Sequence, residues 1–229
     1  MADVRSKTER VFTNYLCYKV DPLWRRLPKS ERDVGAKEFR EVVQGFMGKV
    51  ATRSYLTTGF REDLDFFLWT LSKEAEPIQD LAVEISKTGL GKYLNMTYSY
   101  FAMMRESPYV KDHLNPAGSE LGPCKYLVVY PFVKAREWYH MSFDARQGMM
   151  NEHIKVGHEF PAIRINTAYS FGLDDQDFVV AFDTNSLAEF QDLVMRLRET
   201  EASQYTVRDT PMIVGVTKTI DDILASLGG

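Results

Sequence analysis

The two halves of the chain match each other at one constant spacing. Asp65 and Asp177 each precede an apolar, strand-like run, and they are 112 residues apart. Gln79 and Gln191, each within a segment of helical pattern, are separated by the same 112 residues. Two distant matches that share one offset indicate an internal duplication. We therefore expect two copies of one supersecondary unit.

Each half predicts the same order of elements from its hydrophobic periodicity. In the first half we expect a strand at 11–20, a helix at 36–46, a hairpin of 51–58 and 64–71, a helix at 76–86 and a strand at 95–103. In the second half we expect a strand at 125–133, a helix at 143–158, a hairpin of 163–171 and 178–182, a helix at 187–199 and a strand at 212–216. The order β-α-β-β-α-β is the ferredoxin-like arrangement. The predicted fold class is α+β, with two tandem ferredoxin-like units, antiparallel sheets and helices on the outer faces.

A polar connector at 105–123, which contains Asn115-Pro116-Ala117-Gly118-Ser119 and Gly122-Pro123, separates the two units. The expected division is an N-terminal unit at 1–120 and a C-terminal unit at 121–229, which ends in a short helix at 221–227. A hydrophobic fraction of 45% in 229 residues is sufficient for a large core.

The charge and hydropathy of the chain indicate whether it binds nucleic acid or a membrane. A net charge of −4 gives no general attraction to phosphate backbones, so nucleic acid is not expected. No run reaches the roughly 18 apolar residues of a membrane span, and the N-terminus lacks the apolar segment of a secretion signal. We therefore expect a cytoplasmic protein without membrane contact. Cys17 and Cys124 are interpreted as buried thiols.

His153 is the most unusual polar residue in the predicted helices. Helical spacing places it on one face with Met149 and Met150, and a histidine on such an apolar stripe is either a core residue with one satisfied hydrogen bond or a metal ligand. Spacing alone favours the core residue. His158 lies five residues further on and projects to another face, which argues against a two-histidine metal site.

Two other segments mix charge with room for a ligand. Alternation along 163–171 puts Arg164, Asn166, Ala168 and Ser170 on one face of a strand, which is either solvent-exposed or able to hold an anion. The cluster at 134–139 combines two aromatic residues with three charges, and it is either the rim of a pocket or an ordinary surface loop.

Three segments together resemble the chlorite dismutase family. They are Lys134-Ala135-Arg136-Glu137-Trp138-Tyr139, Met149-Met150-Asn151-Glu152-His153 and Tyr169-Ser170-Phe171-Gly172-Leu173-Asp174-Asp175. This haem-binding family, of the dimeric α+β barrel superfamily, includes chlorite dismutases and coproheme decarboxylases and is built from paired ferredoxin-like units. The resemblance covers the second half closely and the first half by architecture.

The resemblance implies roles on the proximal side of a haem. His153 matches the histidine that ligates the iron, and Glu201 is the residue expected to accept its other N–H, with Glu199 as the alternative. Lys134 and Trp138 match the lysine and tryptophan that contact the haem propionates and the proximal pocket. The C-terminal unit is thus expected to bind haem b, or coproheme as a substrate.

On the distal side the match is imperfect. Chlorite dismutases carry an arginine thirteen residues after the proximal histidine, where this chain has Asn166. Arg164 is on the same predicted strand face, and the resemblance assigns the distal role to it, with Asn166 as a neighbouring cofactor contact. Tyr139 matches the reactive tyrosine of the decarboxylases.

These roles leave three functions open. The one favoured at this point is a haem b-dependent oxidoreductase that converts chlorite to chloride and dioxygen, with Arg164 holding the anion. The alternatives are a peroxide-dependent coproheme decarboxylase that uses Tyr139, and a haem-binding protein without catalysis. A small anionic oxidant is the expected partner in the two enzymatic cases. The family also implies a homo-oligomer, a pentamer.

Overall fold

Nine strands and six α-helices make up the part of the chain described by the computed structural model, residues 10–110 and 123–228. The strands are β1 Val11–Val20, β2 Ala51–Leu56, β3 Phe66–Ser72, β4 Leu94–Met104, β5 Tyr126–Lys134, β6 Arg164–Tyr169, β7 Phe178–Thr184, β8 Thr206–Arg208 and β9 Ile213–Thr217. The helices are α1 Lys29–Gly45, α2 Glu76–Lys87, α3 Arg136–His140, α4 Phe143–His158, α5 Leu187–Arg198 and α6 Ile220–Ser226. Short 3-10 helices occupy Trp24–Arg26, Gly91–Tyr93 and Glu201–Tyr205.

Every strand and helix expected from the sequence is present. Helix α1 begins at Lys29, earlier than expected, directly after Pro28, whose fixed φ favours a helix start. Helix α3 and strand β8 were missed because they have five and three residues, too few to establish a period.

The two sheets join into one closed barrel. The strand order β7-β6-β4-β1-β3-β2-β9-β5 is closed by pairing of β5 with β7, and β8 adds to the outer end of β5. The sheets meet through short antiparallel contacts, Met104 with Ala168 on one side and Leu56 with Val216 on the other. The α+β ferredoxin-like prediction is confirmed, with the two sheets forming one barrel.

Side chains from both sheets fill the barrel. Tyr15 stacks on Trp69 at 5.6 Å between ring centroids, and Tyr55 stacks on Phe67 at 4.8 Å. Helices α1, α2 and α6 cover the first sheet, and α4 and α5 cover the second. Each sheet therefore has an inner face toward the barrel and an outer face toward the helices, and this distinction decides which residues share a site.

The same loop contact recurs in both units. The side chain of Asp65 accepts the backbone N–H of Val20, at the end of β1, and that of Asp177 accepts the backbone N–H of Lys134, at the end of β5, each at 2.9 Å. The boundary expected between residues 120 and 121 lies outside the described residues. Cys17 is buried and Cys124 partly buried, and both are free thiols.

Candidate functional site

A site is formed where α4 crosses the outer face of the second sheet. If Gly157 of α4 carried a Cβ atom, that atom would lie 3.9 Å from the Cδ1 atom of Ile165, its nearest neighbour. The face of β6 that carries Ile165 therefore points toward the helix. Alternation then also directs Thr167 and Tyr169 toward the α4 side. The aromatic rings of Tyr169 and Phe178 pack edge to face beside them, at 5.3 Å.

His153 projects from α4 into this site. Its Nδ1 atom is buried and has no hydrogen-bond partner among the described residues. Burial, reinforced by the positive charge of Lys134, lowers the pKa of the imidazole to about 4. The side chain is therefore neutral at physiological pH, which is the form that ligates iron.

Lys134 places a cation in the same site. Its Nζ atom donates to the carbonyl oxygen of Ala202 at 2.6 Å and lies 4.6 Å from the centre of the buried Trp138 ring. Burial lowers the pKa of the ammonium to about 8, so it is still charged at neutral pH. Within residues 10–110 and 123–228 it forms no ion pair with a carboxylate. The site thus offers an uncompensated positive charge to an anionic ligand.

Tyr139 completes the side of the site formed by α3. Its hydroxyl donates to Oδ2 of Asp177 at 2.8 Å, and its ring packs edge to face on Phe171 at 5.6 Å. Burial and the Asp177 carboxylate both raise the pKa of the phenol. Lys134, Trp138, Tyr139 and His153 are thus all on the outer side of the sheet.

The end of the first unit contributes residues that sequence reasoning missed. Tyr109 stacks on Phe143 at 5.6 Å, and its carbonyl oxygen accepts a hydrogen bond from Gln147 of α4 at 3.1 Å. The guanidinium of Arg105 lies 5.2 Å above the Tyr169 ring. Residues 105–110 therefore cover the site. Only the aromatic Tyr109 within a polar connector could have drawn attention to this segment.

Arg164 and Asn166, expected on the distal side, lie on the opposite face of the sheet from His153. Both point to the barrel interior, where Arg164 donates to the Cys124 Sγ atom at 3.0 Å and Asn166 donates to Asp183 at 3.2 Å. The predicted alternation of β6 is correct, but the face that carries Arg164 and Asn166 is the inner one. The sheet separates them from His153.

The residues expected to accept the second N–H of His153 make other contacts. Glu201 donates its backbone N–H to the Glu152 carboxylate at 2.9 Å, and its own side chain is exposed. Glu199 forms an exposed ion pair with Arg196 at 3.2 Å. Glu201 thus contacts Glu152, the residue that precedes His153 in the sequence. A contact between the Glu201 carboxylate and the imidazole stays a prediction.

Comparison with known proteins identifies the family. The family model for chlorite dismutase matches residues 32–218, which is most of the chain. The chain belongs to the chlorite dismutase family. It is 32% identical to the coproheme decarboxylase of Mycolicibacterium smegmatis over 79% of this chain and 78% of that protein, and 26% identical to the chlorite dismutase of Ideonella dechloratans over 95% and 80%. A crystal structure of a mutant chlorite dismutase from Candidatus Nitrospira defluvii superposes with a TM-score of 0.89, at 25% identity and over 96% of each chain.

The site fits the porphyrin expected of this family. A neutral histidine with an unpartnered ring nitrogen suits an iron, and the Lys134 ammonium suits a propionate. Half-buried aromatic side chains on the sheet, including Phe132 and Phe178, supply an apolar surface for a flat ring.

Among the described residues, no helix is long and apolar enough to span a bilayer.

Proposed function

We propose that this protein is a coproheme decarboxylase, which uses peroxide to oxidise propionate groups of its bound porphyrin. The observation that carries the proposal is the placement of Tyr139, whose hydroxyl reaches the helix side of the sheet and is held there by Asp177 at 2.8 Å. A partly buried tyrosine beside a carboxylate is a suitable one-electron donor, because its proton has an acceptor within hydrogen-bond distance.

His153 and Lys134 are the residues that would hold the porphyrin. The neutral imidazole of His153 would ligate the iron, and the Lys134 ammonium would bind a propionate by a charge-assisted hydrogen bond. When bound, coproheme supplies the iron at which peroxide is activated, and its own propionates are the substrate. The buried Trp138 ring beneath the ammonium fixes the position of the positive charge.

The overall reaction balances for each propionate. A propionate anion that becomes a vinyl group releases carbon dioxide, two electrons and one proton. Peroxide takes up two electrons and two protons to give two molecules of water, so one further proton comes from solvent. In this scheme Tyr139 transmits oxidising equivalents to the propionate as a tyrosyl radical and is restored afterwards.

Chlorite conversion is less well supported, although the sequence favoured it. That reading depended on a cationic side chain near the reacting oxygen atoms, and the expected one, Arg164, donates to Cys124 inside the barrel. The coproheme decarboxylase of Mycolicibacterium smegmatis also has a higher identity to this chain, 32%, than the chlorite dismutase of Ideonella dechloratans, 26%.

Titration of coproheme-loaded protein with hydrogen peroxide, followed by mass spectrometry of the extracted porphyrin, tests the proposal. We expect stepwise loss of carbon dioxide and accumulation of haem b. A Tyr139→Phe variant should bind coproheme but leave it intact, whereas Tyr93→Phe, on the other unit, is the matched control. Intact porphyrin in the unmodified protein, together with sustained dioxygen release from chlorite, would replace this proposal by chlorite dismutation.

A further inference from the structure

We infer that Arg146 of helix α4 binds a second propionate of the bound porphyrin, distinct from the propionate that Lys134 binds. The inference rests on the proposed function, because it names a further contact with the same coproheme. Arg146 precedes His153 by seven residues in α4, which is about two helical turns. The two side chains therefore leave the helix on the same face, the one that carries His153 into the site.

The neighbours of Arg146 place its guanidinium at the edge of the site. Its positive charge opposes the rise in the pKa of Tyr139, so the guanidinium lies within electrostatic reach of that phenol. The next residue of α4, Gln147, donates to the carbonyl oxygen of Tyr109 at 3.1 Å, and Tyr109 belongs to the segment that covers the site. Arg146 is thus close to the part of the site that α3 and residues 105–110 form.

The guanidinium of Arg146 has no carboxylate partner among the described residues. Its Nε atom is buried, and within residues 10–110 and 123–228 it donates no hydrogen bond. A buried donor on a charged group costs free energy when it stays unpaired, so such groups normally have an acceptor. Other arginines of this chain form ion pairs with carboxylates: Arg40, Arg53, Arg61, Arg196 and Arg198. An anionic ligand in the site would supply an acceptor to Arg146.

Arg146 and Lys134 act at different positions along α4. The charged groups that act on the pKa of His153 are Lys134 and Glu152, so the Lys134 ammonium lies at the level of His153. It is held there by the carbonyl oxygen of Ala202, at 2.6 Å. The backbone of Arg146 lies about 10 Å further toward the start of the helix. A single carboxylate is too small to bridge this separation, so the two cations require two different propionates.

A propionate is the ligand group that suits Arg146 best. The planar guanidinium carries its donors in a fork that matches the two oxygen atoms of a carboxylate, and it stays charged at every pH at which the protein is folded. A propionate extends outward from the edge of a porphyrin whose iron is at the centre. A cation about two turns from His153 on the same helix face therefore lies where the edge of the ring is expected.

Coproheme binding to the apo protein, measured by fluorescence-quenching titration, tests the inference without any turnover. Arg146→Met removes the charge and keeps an unbranched apolar side chain, whereas Arg146→Lys keeps the charge without the planar fork. Lys155→Met is the matched control, because Lys155 is an exposed cation on the same helix. The tetramethyl ester of coproheme is the matched ligand without carboxylates. Thermal unfolding of each apo variant shows whether it is folded.

We expect Arg146→Met to raise the Kd of coproheme about tenfold to a hundredfold, because a charge-assisted hydrogen bond is lost. Arg146→Lys should recover part of the affinity, and Lys155→Met should leave it unchanged. The ester should bind equally to all of these proteins. Arg146→Met combined with Lys134→Met should raise the Kd by the product of the two single effects, since two separate propionates lose their partners.

Three results would overturn the inference while leaving the decarboxylase proposal intact. They are an unchanged Kd in Arg146→Met, an equal loss of affinity for coproheme and its ester, and a double variant that binds no more weakly than Lys134→Met alone. Conversely, a protein that binds coproheme through both cations but leaves it intact with peroxide would contradict only the proposed function. An unmodified protein that does not bind coproheme would contradict both.

Discussion

The Lys134 ammonium lies close enough to the His153 imidazole for its positive charge to add to the effect of burial in lowering the pKa of that imidazole to about 4. The two side chains thus differ in charge at neutral pH. One is a neutral base with an unpartnered buried nitrogen, and the other is a cation stacked on Trp138. Such a pair matches a ligand that carries a metal and a carboxylate, because each group satisfies one of them.

The neutral state of His153 predicts acid sensitivity of the apo protein. An unfolded histidine titrates near pH 6.5, and the folded one near pH 4, so between these values the unfolded state binds more protons. The stabilising contribution is complete above pH 6.5 and is lost as the pH falls toward 4. Urea unfolding at pH 7.5 and pH 5 should show a drop of about 1–2 kcal/mol from this group. His153→Gln should reduce the drop, and the exposed His140→Gln should not.

Removal of the His153 side chain should abolish axial ligation without unfolding the protein. We expect His153→Ala to bind coproheme with an altered Soret band and EPR spectrum, because the iron loses its nitrogen ligand. Added imidazole should restore the spectrum of the unmodified protein by entering the space left by the side chain. His140→Ala is the control, and a spectrum that is the same in His153→Ala as in the unmodified protein would exclude this residue as the ligand.

Lys134→Met should weaken coproheme binding through loss of a charge. Methionine keeps much of the length and apolar surface of the lysine while removing the ammonium that has no carboxylate partner among the described residues. A hydrogen bond to a charged group contributes about 1.5–3 kcal/mol, so Kd should rise about tenfold to a hundredfold. A porphyrin with esterified propionates should show no such difference between the two proteins in fluorescence-quenching titrations.

The fold was predictable because the duplication gives both halves of the chain the same order of predicted strands and helices. The match of Asp65 with Asp177 corresponds to a shared contact, since each carboxylate ends the first strand of its unit. The joining of the two sheets into one barrel was not predictable from strand patterns, because the sheets meet only through short pairings such as Met104 with Ala168 and Leu56 with Val216. Contacts of this length leave no distinct pattern in the sequence.

The resemblance pointed to His153 and Tyr139, and both side chains lie on the helix side of the second sheet. The inward position of Arg164 was not predictable, because alternation groups residues by face without stating which face looks inward. In β6 the inner positions include a charged residue that ordinary patterning would place outside. Its cross-strand neighbour is Asp183, which is 3% exposed, and no local signal in the sequence connects the two residues.

The packed barrel interior predicts a sharp contrast between two glycines. A Cβ on Gly215 would lie 2.6 Å from both Phe67 and Tyr55, so Gly215→Ala must displace ring or strand atoms. We expect the free energy of unfolding to fall by about 1–3 kcal/mol. Gly148 lies exposed within α4 with no atom within 4 Å of its would-be Cβ, and Gly148→Ala should stabilise the protein by about 0.5–1 kcal/mol. Thermal unfolding of both variants measures the difference, and equal shifts would contradict a filled barrel.

We expect Arg164 to contribute to the free energy of unfolding. Its charge offsets part of the effect of burial, which raises the pKa of Asp183, and Arg53 lies 4.0 Å from the same carboxylate. Arg164→Leu removes one of these two cations, and we expect a loss of about 1–3 kcal/mol in urea unfolding. The double variant with Asp183→Leu should lose less than the sum of the single variants, because an unpaired buried charge is then absent.

The Arg164→Leu variant also distinguishes coproheme decarboxylation from chlorite conversion. Because the sheet lies between Arg164 and His153, the Soret band and the decarboxylation rate per folded molecule of Arg164→Leu should stay within about twofold of the unmodified protein, a difference under about 0.5 kcal/mol. A protein of unchanged stability that had lost its turnover would instead place the guanidinium at the reacting atoms. Peroxide and chlorite assays on one preparation, with unfolding curves measured in parallel, distinguish these outcomes.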